Sequence, residues 1–280
     1  MSFQNYFCHF PSVKYNDHYL VDIKEALKNK QPYSWIRIGD GELVFLQQEY
    51  VRPIHEILAT VGWASGIGYC GATIPNTRLR DRMIEAIKNS SMVGIFQGDP
   101  PTMEALEKIN VAPDNICYAF DNVFLPMNAD YVNILLKYKI LLVGQKSQFY
   151  AQKFKEILNV DVVGTVGIDS YDDIDECMYQ MAQYDYELAL VSAGVNAKVI
   201  CYEMSTRNNK VFLDMGHAWD NAFHPKGMYD EYWLIPAWQD KYFQPGELAI
   251  YDNKLYKNTC NEILNSNPVQ DPRWLVLENL

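Results

Sequence analysis

From residue 34 to residue 214 the chain alternates short β-branched or apolar runs with amphipathic stretches of helical period. Runs this brief and this continuously hydrophobic suit strands buried on both faces, and their alternation with helices predicts an α/β domain with a mostly parallel sheet. Seven strands are predicted, at Ser34 to Gly39, Met92 to Gln97, Ile116 to Phe120, Ile140 to Gly144, Val160 to Val163, Glu187 to Ser192 and Lys210 to Asp214. Helix boundaries are marked between them. Asp17 precedes the periodic run Leu20 to Leu27, Asn76 or Thr77 precedes Leu79 to Ile87, and Ser170 with Asp173 has the spacing of a capping box. Pro100-Pro101 suits the first turn of a helix through Met103 to Ile109, where a missing amide costs nothing. After Asp214 the pattern changes to an irregular aromatic bridge from Trp219 to Pro236, and then to a short β-like tail. This divides the chain into a main domain, 1–236, and a small C-terminal β appendage, 237–280, too short for a large core of its own.

In an open α/β sheet ligands bind beyond the carboxyl ends of the strands, so the residues that follow each predicted strand form the candidate site. They are Gly39-Asp40-Gly41-Glu42, Gly98-Asp99, Asp121-Asn122, Gly144-Gln145-Lys146, Ser192-Ala193-Gly194 and Asp214-Met215-Gly216-His217. If the first of these runs is extended, Asp40 and Glu42 point the same way and converge on one cation, with Gly39 and Gly41 leaving room and Arg37 facing the same ligand. Carboxylate oxygens suit Mg²⁺ or Mn²⁺. The same residues also suit a turn whose acid caps a helix from Leu43 to Gln48, and local sequence leaves both readings open. The run Ser192 to Ala197 reads as a strand end, a small-residue turn and a helix start. There, free amides can hold phosphate or ribose oxygens, and Lys146 and Lys198 add charge. Close packing of strand on helix would favour the same small residues. Asp214 and His217 offer a carboxylate and an imidazole at the last strand end, with Asp99 and Asp121 as alternative bases.

Composition narrows the chemistry. A formal charge of -11 opposes a nucleic-acid role, and it means that a phosphorylated ligand needs a cation or a few well-placed Lys and Arg residues. The six cysteines form no C-x-x-C and read as reduced core residues, no run is long enough for a membrane span, and the default expectation is a cytoplasmic enzyme. The G-x-x-x-x-G-K-[ST] loop does not occur.

Taken together, Ile36-Arg-Ile-Gly-Asp-Gly-Glu42, Ser192-Ala-Gly-Val-Asn-Ala197 and Leu213-Asp-Met-Gly-His217 resemble the GT-D glycosyltransferases, over about residues 15 to 220. The resemblance implies a Rossmann-like domain with helices on both faces of its sheet, an Asp-x-Glu motif, a nucleotide-sugar donor (UDP-glucose in a bacterial adhesin-glycosylating example) and a divalent metal. It gives Asp40 and Glu42 the metal and diphosphate role. The turn before the late helix usually reads Gly-Pro-Thr-Ala-Thr in that family, and Ala193-Gly194-Val195-Asn196-Ala197 replaces it here. In the tail, Trp238, Tyr242, Gly246, Leu248, Tyr251, Asn253, Leu255-Tyr256 and Pro272-Arg-Trp274 resemble a type 3 chitin-binding module. The loop 257–271 lacks the surface aromatic that usually stacks on sugar in such modules, so these aromatics suit a small core as well as glycan contact.

The expectation is therefore transfer of a hexosyl group from a UDP-sugar to a glycan or glycoprotein acceptor, with Mn²⁺ or Mg²⁺ at Asp40 and Glu42. Arg37, Gly39, Gly41, Lys146, Ser192, Gly194 and Asn196 would hold the donor, and Asp214 or His217 would contact the sugar or take the acceptor proton. The contrasting expectations are a non-catalytic glycan-binding protein on a degenerate transferase scaffold, and a methyltransferase-like or nucleotide-hydrolysing domain.

Overall fold

The computed structural model describes residues 14–15, 18–66, 68, 70–96 and 102–223, together with five strands between residues 242 and 279. Eight strands form one sheet: β1 (Lys14–Tyr15), β2 (Tyr33–Ile38), β3 (Met92–Ile95), β4 (Asn115–Tyr118), β5 (Ile140–Gly144), β6 (Gly164–Val166), β7 (Leu188–Ser192) and β8 (Val211–Asp214). Their order is β1-β4-β3-β2-β8-β7-β5-β6, and every neighbouring pair is parallel. Parallel neighbours require crossovers, which the helices supply.

The strands bury both faces, and the alternation of their side chains builds two cores. On one face lie Ile36, Ile38, Leu141, Val143, Ala189, Val191 and Phe212, covered by α2 (Asp40–Gln47), α4 (Thr77–Asn89), α5 (Thr102–Lys108), α9 (Ile174–Met181) and α10 (Asn196–Asn208). On the other lie Trp35, Ile140, Leu142, Leu188, Leu190, Val211 and Leu213, covered by α1 (Tyr19–Asn29), α7 (Ala129–Lys137), α8 (Ser147–Leu158) and α11 (Ala218–Phe223). Each Val, Leu, Ile or Phe side chain among these withdrawn from water contributes roughly 1.5–3 kcal/mol. The two remaining helices are α3 (Ile54–Thr60) and the short α6 (Asp121–Phe124). Among the described residues, no helix is long and apolar enough to cross a membrane.

Local signals account for most boundaries. The Asn76 side chain accepts a hydrogen bond from the Leu79 amide at 2.9 Å and caps α4. The Ser170 amide donates to Asp173 Oδ2 at 3.0 Å, opening the 3₁₀ turn Tyr171–Asp173 ahead of α9. Asp17 and the Pro100-Pro101 pair lie outside the described residues, and the helix predicted from Met103 begins at Thr102.

Two expectations are corrected. The strand predicted at Val160 to Val163 is displaced to Gly164–Val166, where the ladder pairs are Leu141 with Gly164 and Val143 with Val166. Val160 and Val162 instead pack against the core as the chain approaches the sheet, so burial rather than strand pairing explains their apolar character. The bridge predicted as irregular from Trp219 begins as helix α11. Trp219 is fully buried, edge-on to Phe154 at 4.9 Å and stacked with Phe223 at 5.6 Å, so it belongs to the main domain's core.

In the tail, β10 (Leu248–Tyr251), β11 (Lys254–Asn258) and β13 (Trp274–Asn279) form an antiparallel sheet, and β9 (Tyr242–Phe243) pairs with β12 (Ile263–Leu264). The expected boundary at 236/237 and the motif residues Trp238, Gly246, Asn253 and Pro272-Arg273 lie outside the described residues.

Candidate active site

A cleft of about 380 Å³ opens at the carboxyl edge of the sheet, as the strand-end rule requires. The turn after β2 contributes Gly39, Asp40, Gly41 and Glu42, and β2 itself contributes Arg37. Ser192 and Gly194 follow from β7, Gly216 and His217 from β8, Gln145 and Lys146 from β5, and Phe120 from β4. Nine of the eleven residues expected from sequence to hold the donor, the metal or the acceptor proton thus meet in one space: Arg37, Gly39, Asp40, Gly41, Glu42, Lys146, Ser192, Gly194 and His217. Asp214 and Asn196 do not line it. Asp99 lies outside the described residues.

Of the two readings of the turn after β2, the structure takes the helix start rather than the extended run, and the helix opens at Asp40 rather than Leu43. Helix α2 begins at Asp40, so Asp40 and Glu42 occupy its first turn and project roughly 200° apart about the axis. Asp40 is exposed at the cleft, whereas Glu42 turns inward and is 9% exposed. Glu42 Oε2 accepts the Gly39 amide at 2.9 Å and Oε1 accepts the Lys198 ammonium. The space at Gly39 is filled by this carboxylate, since a Cβ there would stand 2.8 Å from Glu42 Oε2.

Lys198, on α10, is 1% exposed and is the residue that sequence reasoning undervalued. Its ammonium bonds Glu42, donates to the Gly194 carbonyl at 3.0 Å and forms an ion pair with Asp214 Oδ2 at 3.0 Å, an oxygen that accepts no hydrogen bond. Asp214, also 1% exposed, accepts the Gly216 amide at 3.1 Å and lies 3.7 Å from Arg37 Nε. Arg37 Nη1 donates to the Ala119 carbonyl at 3.0 Å and to Asn122 Oδ1 at 3.4 Å. Two cations and two anions therefore balance beneath the cleft, and this balance is what makes their burial tolerable. Burial raises the Glu42 pKa and lowers that of Lys198, but in each the opposite charges win: Glu42 is held below the ordinary carboxylate value and Lys198 above the ordinary ammonium value. Asp214 is buried in this network and does not face the cleft.

His217 is the substrate-facing candidate at that strand end. It is exposed beside Phe120, with ring centroids 6.4 Å apart. Partial burial and then the Arg37 charge lower its pKa below the ordinary 6.5, with Asp220, Asp214 and Asp40 offsetting part of the effect. The imidazole is therefore neutral and able to accept a proton at pH 7. An NMR titration of its Cε1–H is expected to give a midpoint below 6.5; a midpoint above that value would count against the placement beside Arg37. At the rim, Lys146 pairs with Asp220 at 2.7 Å, and Tyr150 lies against the same carboxylate, its phenol pKa raised by burial and by Asp220. Tyr150, Asp220 and Cys70 were invisible from sequence because they come from helices and a loop outside the strand ends. The Cys70 thiol is pushed up to about 11, chiefly by burial, and stays protonated.

The turn after β7 is built by its glycine. Gly194 has φ +56°, and a Cβ would meet the Cys70 carbonyl oxygen at 2.2 Å. That close approach lets the Val195 amide donate to Cys70 O at 2.9 Å and Asn196 Nδ2 to Gly71 O at 3.0 Å, so Asn196 clamps the turn to the 70–72 loop. Gly194→Ala is expected to lose at least about 1–3 kcal/mol in urea denaturation, from the backbone conformation alone. Full stability in the variant would show that the clamp yields freely. Beside the turn, the Ser192 hydroxyl is buried without a hydrogen-bond partner.

An eight-stranded parallel sheet with a polar cleft across its strand ends defines an open, Rossmann-like α/β domain of the ligand-binding kind. The chain belongs to the GT-D-like family of GT-D fold-like domains, whose profile matches residues 16–222, and this places it in a glycosyltransferase family. One solved structure agrees on the fold: described as the highly conserved domain of unknown function 1792 with a distinct glycosyltransferase fold, it superposes with a TM-score of 0.50 at 14% identity, over 78% of this chain and 82% of that one. Another, described as a new glycosyltransferase of that domain from Streptococcus sanguinis, gives 0.48 at 16% identity, over 74% and 82%. No curated protein matches the chain in sequence.

Proposed function

We propose that this protein transfers a hexosyl group from a nucleotide-sugar, in the first instance a UDP-sugar, to a glycan or glycosylated acceptor. One observation carries the reading: Asp40, the Ser192–Gly194 turn, Lys146 and His217 face a single cleft whose floor is a neutralised ion network. Transfer breaks the bond between the sugar's anomeric carbon and the diphosphate oxygen and leaves negative charge on the nucleotide. The acceptor hydroxyl attacks that carbon and loses its proton. In this reading neutral His217 takes the proton, while Lys146 and the amides of the Ser192 turn hold diphosphate or ribose oxygens.

The donor set suits a phosphate-bound cation. Among the described residues no group of three or more His, Cys, Asp and Glu side chains forms a ready-made cage. Mg²⁺ and Mn²⁺ commonly bind through one or two carboxylates plus substrate phosphates, and Asp40 at the cleft, with Glu42 behind it, meets that requirement. Bound there, such an ion would supply Lewis-acid stabilisation of the departing diphosphate.

The test is incubation with UDP-, GDP- and dTDP-sugars and Mn²⁺, scoring nucleotide release with and without EDTA. Release from one donor class that EDTA abolishes is the expected result. Donor binding without release would support a degenerate scaffold, and neither binding nor release would end the transferase reading.

A further inference from the structure

The two acids of the Asp40–Glu42 motif stand in different environments, and the difference divides their labour. Both oxygens of Glu42 are committed, Oε2 to the Gly39 amide at 2.9 Å and Oε1 to Lys198. A divalent ion on Oε1 would stand beside the Lys198 ammonium, which already bonds Glu42 and the Gly194 carbonyl and pairs with Asp214. One on Oε2 would compete with the amide that starts α2. Asp40 lies on the exposed side of the same helical turn.

We propose that Glu42 is a positioning residue and not a metal ligand: it ties the start of α2 to Lys198 and through it to Asp214 and the Gly194 turn. Cation coordination falls to Asp40 with the donor's phosphates. The network joins the turns after β2, β7 and β8, and so fixes the spacing of Asp40, Ser192 and His217 around the cleft. This rests on the donor reading above only through its probe, UDP with Mn²⁺.

The distinction yields an experiment based on rescue. Loss of a metal ligand is not repaired by also removing its counter-ion, whereas loss of an anchor is repaired when the cation it neutralised goes with it. Mn²⁺ binding in the presence of UDP, followed by the EPR signal of free Mn²⁺, and thermal melting are measured on wild type, Asp40→Asn, Glu42→Gln, Lys198→Met and the Glu42→Gln/Lys198→Met double variant. Asp40→Asn is expected to weaken Mn²⁺ binding by about tenfold or more with little change in melting temperature. Glu42→Gln and Lys198→Met are each expected to lower the melting temperature, and the double variant to melt above Lys198→Met and to bind Mn²⁺ within about threefold of wild type, since paired charges removed together leave none unbalanced.

A double variant that binds Mn²⁺ as weakly as Asp40→Asn would overturn the assignment and make Glu42 a ligand. So would additive losses of melting temperature in the double variant, which would show that Glu42 and Lys198 are not coupled. Should Glu42→Gln fail to fold, the double variant carries the same titration. Should wild type bind no Mn²⁺ with UDP, the metal reading falls, and the coupling in melting temperature still decides whether Glu42 anchors Lys198.

Discussion

Lys198→Met is expected to destabilise the protein by about 3–5 kcal/mol, the usual effect of leaving buried carboxylates without their cation. The cation left to Glu42 and Asp214 in this network is Arg37, whose Nε lies 3.7 Å from Asp214 Oδ1. The pH dependence should also change sign. In the wild type the folded-state pKa of Glu42 is depressed, so its contribution is present above the unfolded value of 4.5 and is lost as pH falls through the folded value. The raised Lys198 pKa contributes stability that is complete below its unfolded value of 10.5 and is lost as pH rises through the folded value. Without Lys198, burial of Glu42 goes unopposed by its main partner and raises the carboxylate pKa. The folded state then binds protons more readily than the unfolded one, and mild acidification stabilises the variant. Urea denaturation from pH 5 to pH 8 checks this. A variant whose stability does not rise between pH 8 and pH 5 would show that the ion pair does not govern Glu42.

Asp40→Asn is expected to lower turnover of the active donor by roughly a hundredfold or more, the scale on which removing one stabiliser of developing charge acts. Its effect on stability should be small. Asp40 is exposed, and as an acid in the first turn of a helix it contributes about 0.3–1 kcal/mol through the helix dipole. A fall in kcat/KM with near-normal melting thus separates a role in the cleft from a role in the fold. Undiminished metal-dependent turnover in Asp40→Asn would remove this carboxylate from the reaction. Together the two substitutions distinguish the exposed rim of the site from its buried floor.

Sequence reading located the rim well and the floor poorly. Ile140–Gly144 was legible to the residue because a central parallel strand is apolar on both faces, and the ends of β2, β5, β7 and β8 followed from the same logic. The geometry at Asp40 and Glu42 was left open, since a Gly-Asp-Gly-Glu run suits extended backbone and a helix start alike. The acid that bonds the Gly39 amide selects the helix. Lys198 was read as added charge near the phosphates. Its helix is buried on so much of its surface that no polar face marks where the lysine points.

What the sequence by itself determined was the alternation of short apolar runs and helices, hence the parallel sheet, and the small and acidic residues at its carboxyl edge. Those are properties of neighbouring residues, set by side-chain period and backbone preference. Which acid faces solvent and which is consumed by an ion pair was decided only in the tertiary structure. Glu42 and Lys198 are 156 residues apart in the chain, and their pairing, like that of Lys198 with Asp214, exists only once β2, β7 and β8 lie side by side. Burial gives that pairing its strength, because opposite charges removed from water must neutralise one another.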